Sequence, residues 1–319
     1  MNKKLIATTV CAAAVTSAAL AGPASEKSCC PSAPAGFDAA RRPMSNPTLF
    51  DLALPRTGVH AIYMHHKLPS QVALAGGAKL PLGGDVNAYA VQFEYALNDR
   101  LSIVATKDGY VDFNPDNTNN FSQSGGFADL AAGLKYAFIL DPVQQLAVSG
   151  SLTIELPTGD GEVFQGNGDG GANFSLAALK LSNDWQFAGA LGVYLPFDSD
   201  AESTTAFASA HVGYNITDRL YGLVEVNWYG VLSEGAGQSA FTNQVGGAVP
   251  AAVSFEGGDL FNLGAANGSD NGNIVTAAVG VRYQLCDNAD LGLAYELPLT
   301  DADENLMDSR ITLDLVLTF

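Results

Sequence analysis

After residue 21 the chain nowhere holds the roughly 18 consecutive apolar residues that a membrane-crossing helix needs, which excludes a helical span. Basic residues are scarce. Fifteen Lys and Arg stand against 33 Asp and Glu, a formal net charge of −18, and such a balance excludes nucleic acid as a partner. Charge of either sign is thin at 15% of residues, while Gly, Asn, Ala and aromatics are plentiful, the balance of strands joined by polar loops. Cysteine is sparse too. Cys11 lies in an apolar leader, and Cys29, Cys30 and Cys286 remain, an odd number that leaves at least one free or paired outside the chain.

The first 21 residues read as a secretory signal: Lys3 and Lys4, an apolar stretch over 5–20, and Ala19-Leu20-Ala21 before Gly22. No lipid-anchoring cysteine follows, and cleavage removes two lysines and no acid, leaving the remainder still more acidic. Residues 22–57 carry prolines at 23, 31, 34, 43, 47 and 55 and read as a periplasmic linker or plug. Their one apolar piece, 48–54, suits a lumen wall. Residues 58–319 make the third region.

In that region residues alternate with a period of two, the signature of half-buried strands. The last strand shows it plainly: Ile311, Leu313, Leu315, Leu317 and Phe319 share one face, and Arg310, Thr312, Asp314, Val316 and Thr318 the other. Ending on an aromatic ring resembles the assembly signal of bacterial outer-membrane barrels, which assigns that role to Phe319. Twelve such strands are expected, at about 58–67, 85–97, 101–112, 127–139, 146–156, 172–181, 185–195, 204–214, 220–232, 273–285, 291–297 and 308–319. Their connections alternate strictly between short and long. Tight periplasmic turns and long outer loops give that asymmetry in an antiparallel outer-membrane β-barrel, with both ends periplasmic. Upward strands end in Leu68-Pro69, Leu156-Pro157, Leu195-Pro196 and Leu297-Pro298, and proline stops a ladder at a rim. A secreted β-sandwich would also alternate, but it needs no such loop asymmetry.

The run Gly126-Phe127-Ala128-Asp129-Leu130-Ala131-Ala132-Gly133-Leu134-Lys135-Tyr136, followed by Leu156-Pro157-Thr158-Gly159-Asp160, resembles an outer-membrane barrel family associated with the MetA pathway of phenol degradation and with transport. The resemblance implies a barrel in the outer membrane of a Gram-negative-type bacterium. It also implies a channel or transporter for small molecules, aromatic or apolar ones among them. The alternative is a structural or surface-contact barrel without transport. Expected partners are outer-membrane lipid, the barrel-assembly machinery and small-molecule solutes; no cofactor or metal is expected.

With the apolar face towards lipid, the lumen receives Glu94, Lys135, Glu225, Arg282, Glu296, Arg310 and Asp314, and His211 with them. Glu296 and Arg310 should face each other across the last hairpin. Asp108, Asp129 and Glu155 should gather at the outer mouth and favour cations, with Lys107 pointing away to the headgroups. Cys286 should neighbour Cys29 or Cys30, with Cys30 the candidate disulfide partner. His60, His65 and His66 read as surface or rim residues. Ser209-Ala210-His211 puts a hydroxyl and an imidazole on one face, and the twelve-stranded outer-membrane phospholipase uses a similar pair in reverse order. That pair faces the lumen here, away from lipid, so no catalytic residue and no enzyme are expected. The Asp/Asn/Gly runs at 114–120, 165–172 and 267–273 lack the closing Glu of a complete calcium loop and read as turn chemistry. The apolar centre of the 233–272 loop should fold inward and narrow the pore.

Overall fold

The computed structural model describes residues 34, 36–73, 79–166, 168–200, 202–235, 273–300 and 307–319. Strands β1 (Gly58–Lys67), β4 (Asp85–Asn98), β5 (Leu101–Lys107), β8 (Leu130–Asp141), β9 (Leu146–Leu156), β10 (Gly171–Ser182) and β11 (Trp185–Pro196) build the first part of the wall. The ring is completed by β12 (Thr204–Asn215), β13 (Leu220–Ser233), β14 (Asn273–Cys286), β15 (Ala289–Pro298) and β16 (Ser309–Thr318). Each pairs antiparallel with its neighbour, and β1 joins both β16 and β4, so twelve strands close into a barrel. Two short strands, β6 (Tyr110–Asn114) and β7 (Ser124–Phe127), continue β5 and β8 beyond a break in each. A small hairpin of β2 (Gln71–Ala73) and β3 (Lys79–Pro81) sits in the first long connection.

The expected strands are all present, and the short turns fall where expected, at residues 99–100, 142–145, 183–184, 216–219 and 287–288. The alternation has a plain physical cause. In β9 Leu152, Ile154 and Leu156 point out while Ala147, Ser149 and Thr153 are buried inside. The outward set across the barrel is almost wholly apolar, including Phe93, Leu134, Leu191 and Val279, each about half exposed or more in the absence of lipid. Aromatic rings cluster at both rims. Trp185 packs on Tyr214 at 4.8 Å beside a short turn, and Tyr63 meets Tyr89 at 5.2 Å towards the long loops. Such paired girdles mark the two interfaces of a spanning barrel.

The lumen is filled in two layers. Phe37, Ala40, Phe50, Leu52, Ala53 and Leu54, which precede β1, pack on the inward residues Ala147, Leu179, Phe207, Tyr229 and Ile274. Each fully buried large apolar side chain contributes about 1.5–3 kcal/mol, so this face alone gives the segment a substantial hold. Small inward residues make the room. At Gly292 a Cβ would lie 2.6 Å from Met44 Cε and 2.3 Å from Asp314 Oδ1, so the segment passes against bare backbone there.

Nearer the long loops a second apolar cluster joins Ile62, Met64, Val86, Ala88, Ala90, Val111 and Phe113 of the wall to Leu68, Val72, Leu82, Phe121, Val163 and Phe164 of the loops. Phe113 holds Phe164 and Phe121 edge-on at 5.0 and 6.4 Å. The single turn of 3-10 helix Gly161–Val163 delivers Phe164 into this cluster through a left-handed backbone at φ 61°.

Candidate functional site

The segment of residues 36–57 lies in the lumen because the wall supplies partners for its backbone. An irregular chain inside a barrel has no ladder of its own, so each buried N–H and C=O must be met by a side chain. Glu225 on β13 accepts from Met44 N–H at 3.0 Å, from Ser45 N–H at 2.7 Å and from the Ser45 hydroxyl at 2.5 Å. Arg310 on β16 donates to the Ser45 carbonyl, and Arg282 on β14 to the Arg42 carbonyl at 2.8 Å. Gln92 on β4 donates to Pro47 O at 2.8 Å, and Gln186 on β11 clasps both backbone groups of Arg41 at 2.8 and 2.7 Å.

Charge is balanced locally. Asp51 of the segment bridges Arg42 at 3.0 Å and Lys135 of β8 at 2.7 Å, and Lys135 also reaches Glu94 at 2.8 Å. Burial alone would raise the Asp51 carboxyl, but the Arg42 and Lys135 charges overcome it and hold the group down at about 2. Arg56 donates to the carbonyls of Ala40 and Phe37, and its own N–H reaches Glu94. Burial, then the like charge of Arg41, pushes the Arg56 guanidinium down to about 10 against the pull of Glu94.

The inward charges read from parity all face the lumen: Glu94, Lys135, Glu225, Arg282, Glu296, Arg310 and Asp314 are each buried there. Glu296 and Arg310 are register partners and bond at 2.6 Å. Arg282 grips Asp314 with both terminal nitrogens, at 2.9 and 2.6 Å.

The outer acidic trio departs from expectation. A bulge between Ala105 and Lys107 shifts the side-chain parity by one residue and turns Lys107 inward, where it reaches Glu155 at 3.0 Å and Asp129 at 3.8 Å. Asp129 also accepts from the N–H groups of Gly159 and Gly166, at 2.8 and 3.0 Å, which pins the loop that carries Phe164. Asp108 accepts from Val91 N–H at 3.0 Å. These three acids therefore do not form a cluster without a basic residue, and Lys107 does not reach the headgroups.

Two further readings are corrected. His60 is neither surface nor rim: it is buried in the lumen, 3.0 Å from Gln92 and 2.7 Å from Asp314, as its inward parity in β1 requires. His66 is buried inside as well, and only His65, bonded to Asn87 at 3.0 Å, lies on the outer face. Ser209 and His211 share a face but do not pair. The Ser209 hydroxyl donates to Asn227 at 2.7 Å, while the His211 ring nitrogens meet Glu225 at 2.7 Å and Tyr221 at 2.6 Å. Cys286 is a free, exposed thiol 3.2 Å from Asn288 Oδ1; Cys29 and Cys30 lie outside the described residues. The apolar centre of the 233–272 loop, expected to fold inward, lies outside them too, as does most of the Asp/Asn/Gly run at 267–273. Phe319 presents a half-exposed ring, and its N–H reaches Thr57 O at 3.0 Å.

Sequence reasoning missed Gln92, Gln186, Asn227 and Ser45. The first three carry a usable signal, since each is an amide at inward parity on a strand whose outward neighbours are apolar. Ser45 carries none, because the segment has no periodicity.

No curated protein matches the sequence. Among solved structures, the chain is similar to an outer-membrane channel from Pseudomonas putida F1, at 15% identity and TM-score 0.56, covering 88% of this chain and 100% of that one. It also aligns with the β domain of the Bordetella autotransporter BrkA, at 13% identity and TM-score 0.47, covering 83% of this chain and 100% of that one. With the Pseudomonas putida toluene transporter TodX the figures are 10% identity and TM-score 0.39, covering 86% of this chain and 93% of that one. The fold is that of an outer-membrane barrel. The family described as "Putative MetA-pathway of phenol degradation" matches residues 95–269, more than half of the chain, and the protein belongs to that family.

Proposed function

We propose that the barrel is an outer-membrane channel for small apolar molecules, aromatic ones among them, which enter the outer half of the lumen and meet a polar floor. The observation that carries this reading is the division of the lumen. Phe113, Phe121 and Phe164 gather with aliphatic side chains on the side of the long loops, and the segment of residues 36–57 fills the layer beneath. A pore for hydrated ions would line its outer half with polar groups, whereas an apolar lining, once the loop side chains that fill it part from the wall, takes apolar solutes out of water. The family's link to phenol degradation agrees with such cargo.

Catalysis has no place in this reading. Ser209 and His211 each spend their polar atoms on other partners, so the Ser209 hydroxyl is not activated by the His211 ring. Lipid, the barrel-assembly machinery and the solutes themselves are the partners it requires. Uptake of radiolabelled toluene by cells with and without the protein tests the reading. Phe113→Ser with Phe164→Ser should slow uptake to the level of cells lacking the barrel. Equal uptake by the variant and the unaltered protein would refute it.

A further inference from the structure

Where β1 begins and β16 ends, the lumen segment does not fill the space against the wall. A cavity of about 30 Å³ remains there, bounded by Arg42, Leu52, Leu54 and Arg56 of the segment and by the inner faces of β1, β4 and β16. One water needs about 10–15 Å³ on that measure, so the space admits a group of two or three heavy atoms. It lies at the end of the barrel that carries the short turns, away from the apolar layer near the long loops.

The polar groups around this cavity are unevenly paired. Gln92 meets His60 and Arg42 through Oε1 and gives its amide to Pro47 O and Thr106 O. Glu94 takes Lys135, the Ser102 hydroxyl and Arg56 N–H. The two arginine side chains keep something over. Arg42 spends one terminal nitrogen on Asp51 at 3.0 Å and Gln92 at 3.2 Å, and Arg56 spends both of its own on the carbonyls of Ala40 and Phe37. Yet the Nε–H of each is buried with no acceptor among the described residues. A buried donor on a charged group is costly to leave unmet. Arg56 also lacks a counter-ion: among the described residues its guanidinium bonds neutral carbonyls alone, while the charges of Arg41 and Arg42 act against it.

We propose that this cavity binds the carboxylate of a small organic acid, held between Arg42 and Arg56. A planar guanidinium suits two oxygens in one plane, and a single negative charge supplies the counter-ion that Arg56 lacks. Leu52, Leu54 and Val316 line the rest, which suits an acid with an apolar body and not a hydrated dianion. Glu94 borders the same space, but Lys135 at 2.8 Å offsets its charge. Segment and wall both contribute to the lining, so the acid binds the docked segment alone and holds it down by mass action. The site is independent of what the outer layer of the lumen carries.

Titration calorimetry on the purified barrel in detergent tests the site, with benzoate as the probe and benzamide as its neutral isostere. Benzoate should give a saturable heat and benzamide none. Arg42→Lys and Arg56→Lys keep the charge and remove the Nε–H, and each should weaken benzoate by about tenfold. Val316→Phe fills the cavity from the wall without altering either arginine and should abolish binding. Heat modifiability on a gel first shows each variant to be a folded barrel. Saturating benzoate should also slow hydrogen exchange at the Met44 amide severalfold in the unaltered protein and leave Val316→Phe unchanged. The site is overturned by the absence of a saturable benzoate heat or by equal binding of benzamide. Undiminished binding in Val316→Phe or in both lysine variants overturns it too, as does Met44 exchange that saturating benzoate leaves unchanged in the unaltered protein.

Discussion

Replacing Glu225 with Ala should release the lumen segment more than any other single change in the wall. The carboxylate is fully buried and takes three donors from the segment, the N–H groups of Met44 and Ser45 and the Ser45 hydroxyl, besides His211 from its own wall. Hydrogen bonds to a charged group are each worth about 1.5–3 kcal/mol, and two backbone donors would be left unpaired. Allowing for water entering the vacated space, docking should weaken by about 3–5 kcal/mol. That is a factor of roughly a hundred to a few thousand in the ratio of docked to undocked segment. Hydrogen exchange at the Met44 and Ser45 amides reads it directly, with the Val226 amide as a wall control. Protection at 44 and 45 should collapse while Val226 stays protected, and Glu225→Gln, which keeps one acceptor oxygen, should fall between. Undiminished protection at Met44 and Ser45 in Glu225→Ala would refute the assignment of this carboxylate as the anchor.

Acid should undock the segment through Asp51. Its carboxyl is held down at about 2 from an ordinary 3.8, so its charge stabilises docking fully above the ordinary value and ceases to as pH falls towards about 2, a contribution of about 2 kcal/mol. Single-channel conductance should rise across that window, and Asp51→Asn should conduct at the raised level already at neutral pH. Lys107→Met leaves Asp129 and Glu155 without their cation, so reversal potentials in a salt gradient should shift towards cation selectivity, most at low ionic strength. Gly292→Ala puts a methyl where Met44 and Asp314 already stand and should speed exchange at the Met44 amide without changing barrel assembly on a heat-modifiability gel.

The wall was readable because it is written in a period of two. Lipid on one side and a hydrated or packed interior on the other force alternation, and that fixed both the twelve strands and the inward set from Glu94 to Asp314. Where the period slips, reading by parity fails. Lys107 follows a bulge, and a single extra residue reversed its assigned face. His60 shows the opposite lesson, since its place in the alternation of β1 sets it inside, where Gln92 and Asp314 meet its ring. The floor was not readable at all in detail. Residues 36–57 take their shape from Glu225, Arg310, Gln92 and Gln186, which lie 45 to 265 positions away in the chain.

The segment's final residue, Thr57, leads straight into β1, and its carbonyl also receives Phe319 N–H, so the filling of the lumen is hinged on the line where first and last strands meet. A displaced segment therefore remains tethered to the wall it left. Short tethers hold their cargo at effective concentrations of about a millimolar, independent of how dilute the protein is. Reclosure is thus a first-order event with a fixed rate, and a free peptide copying residues 36–57 would need to reach comparable concentration to compete for the same wall.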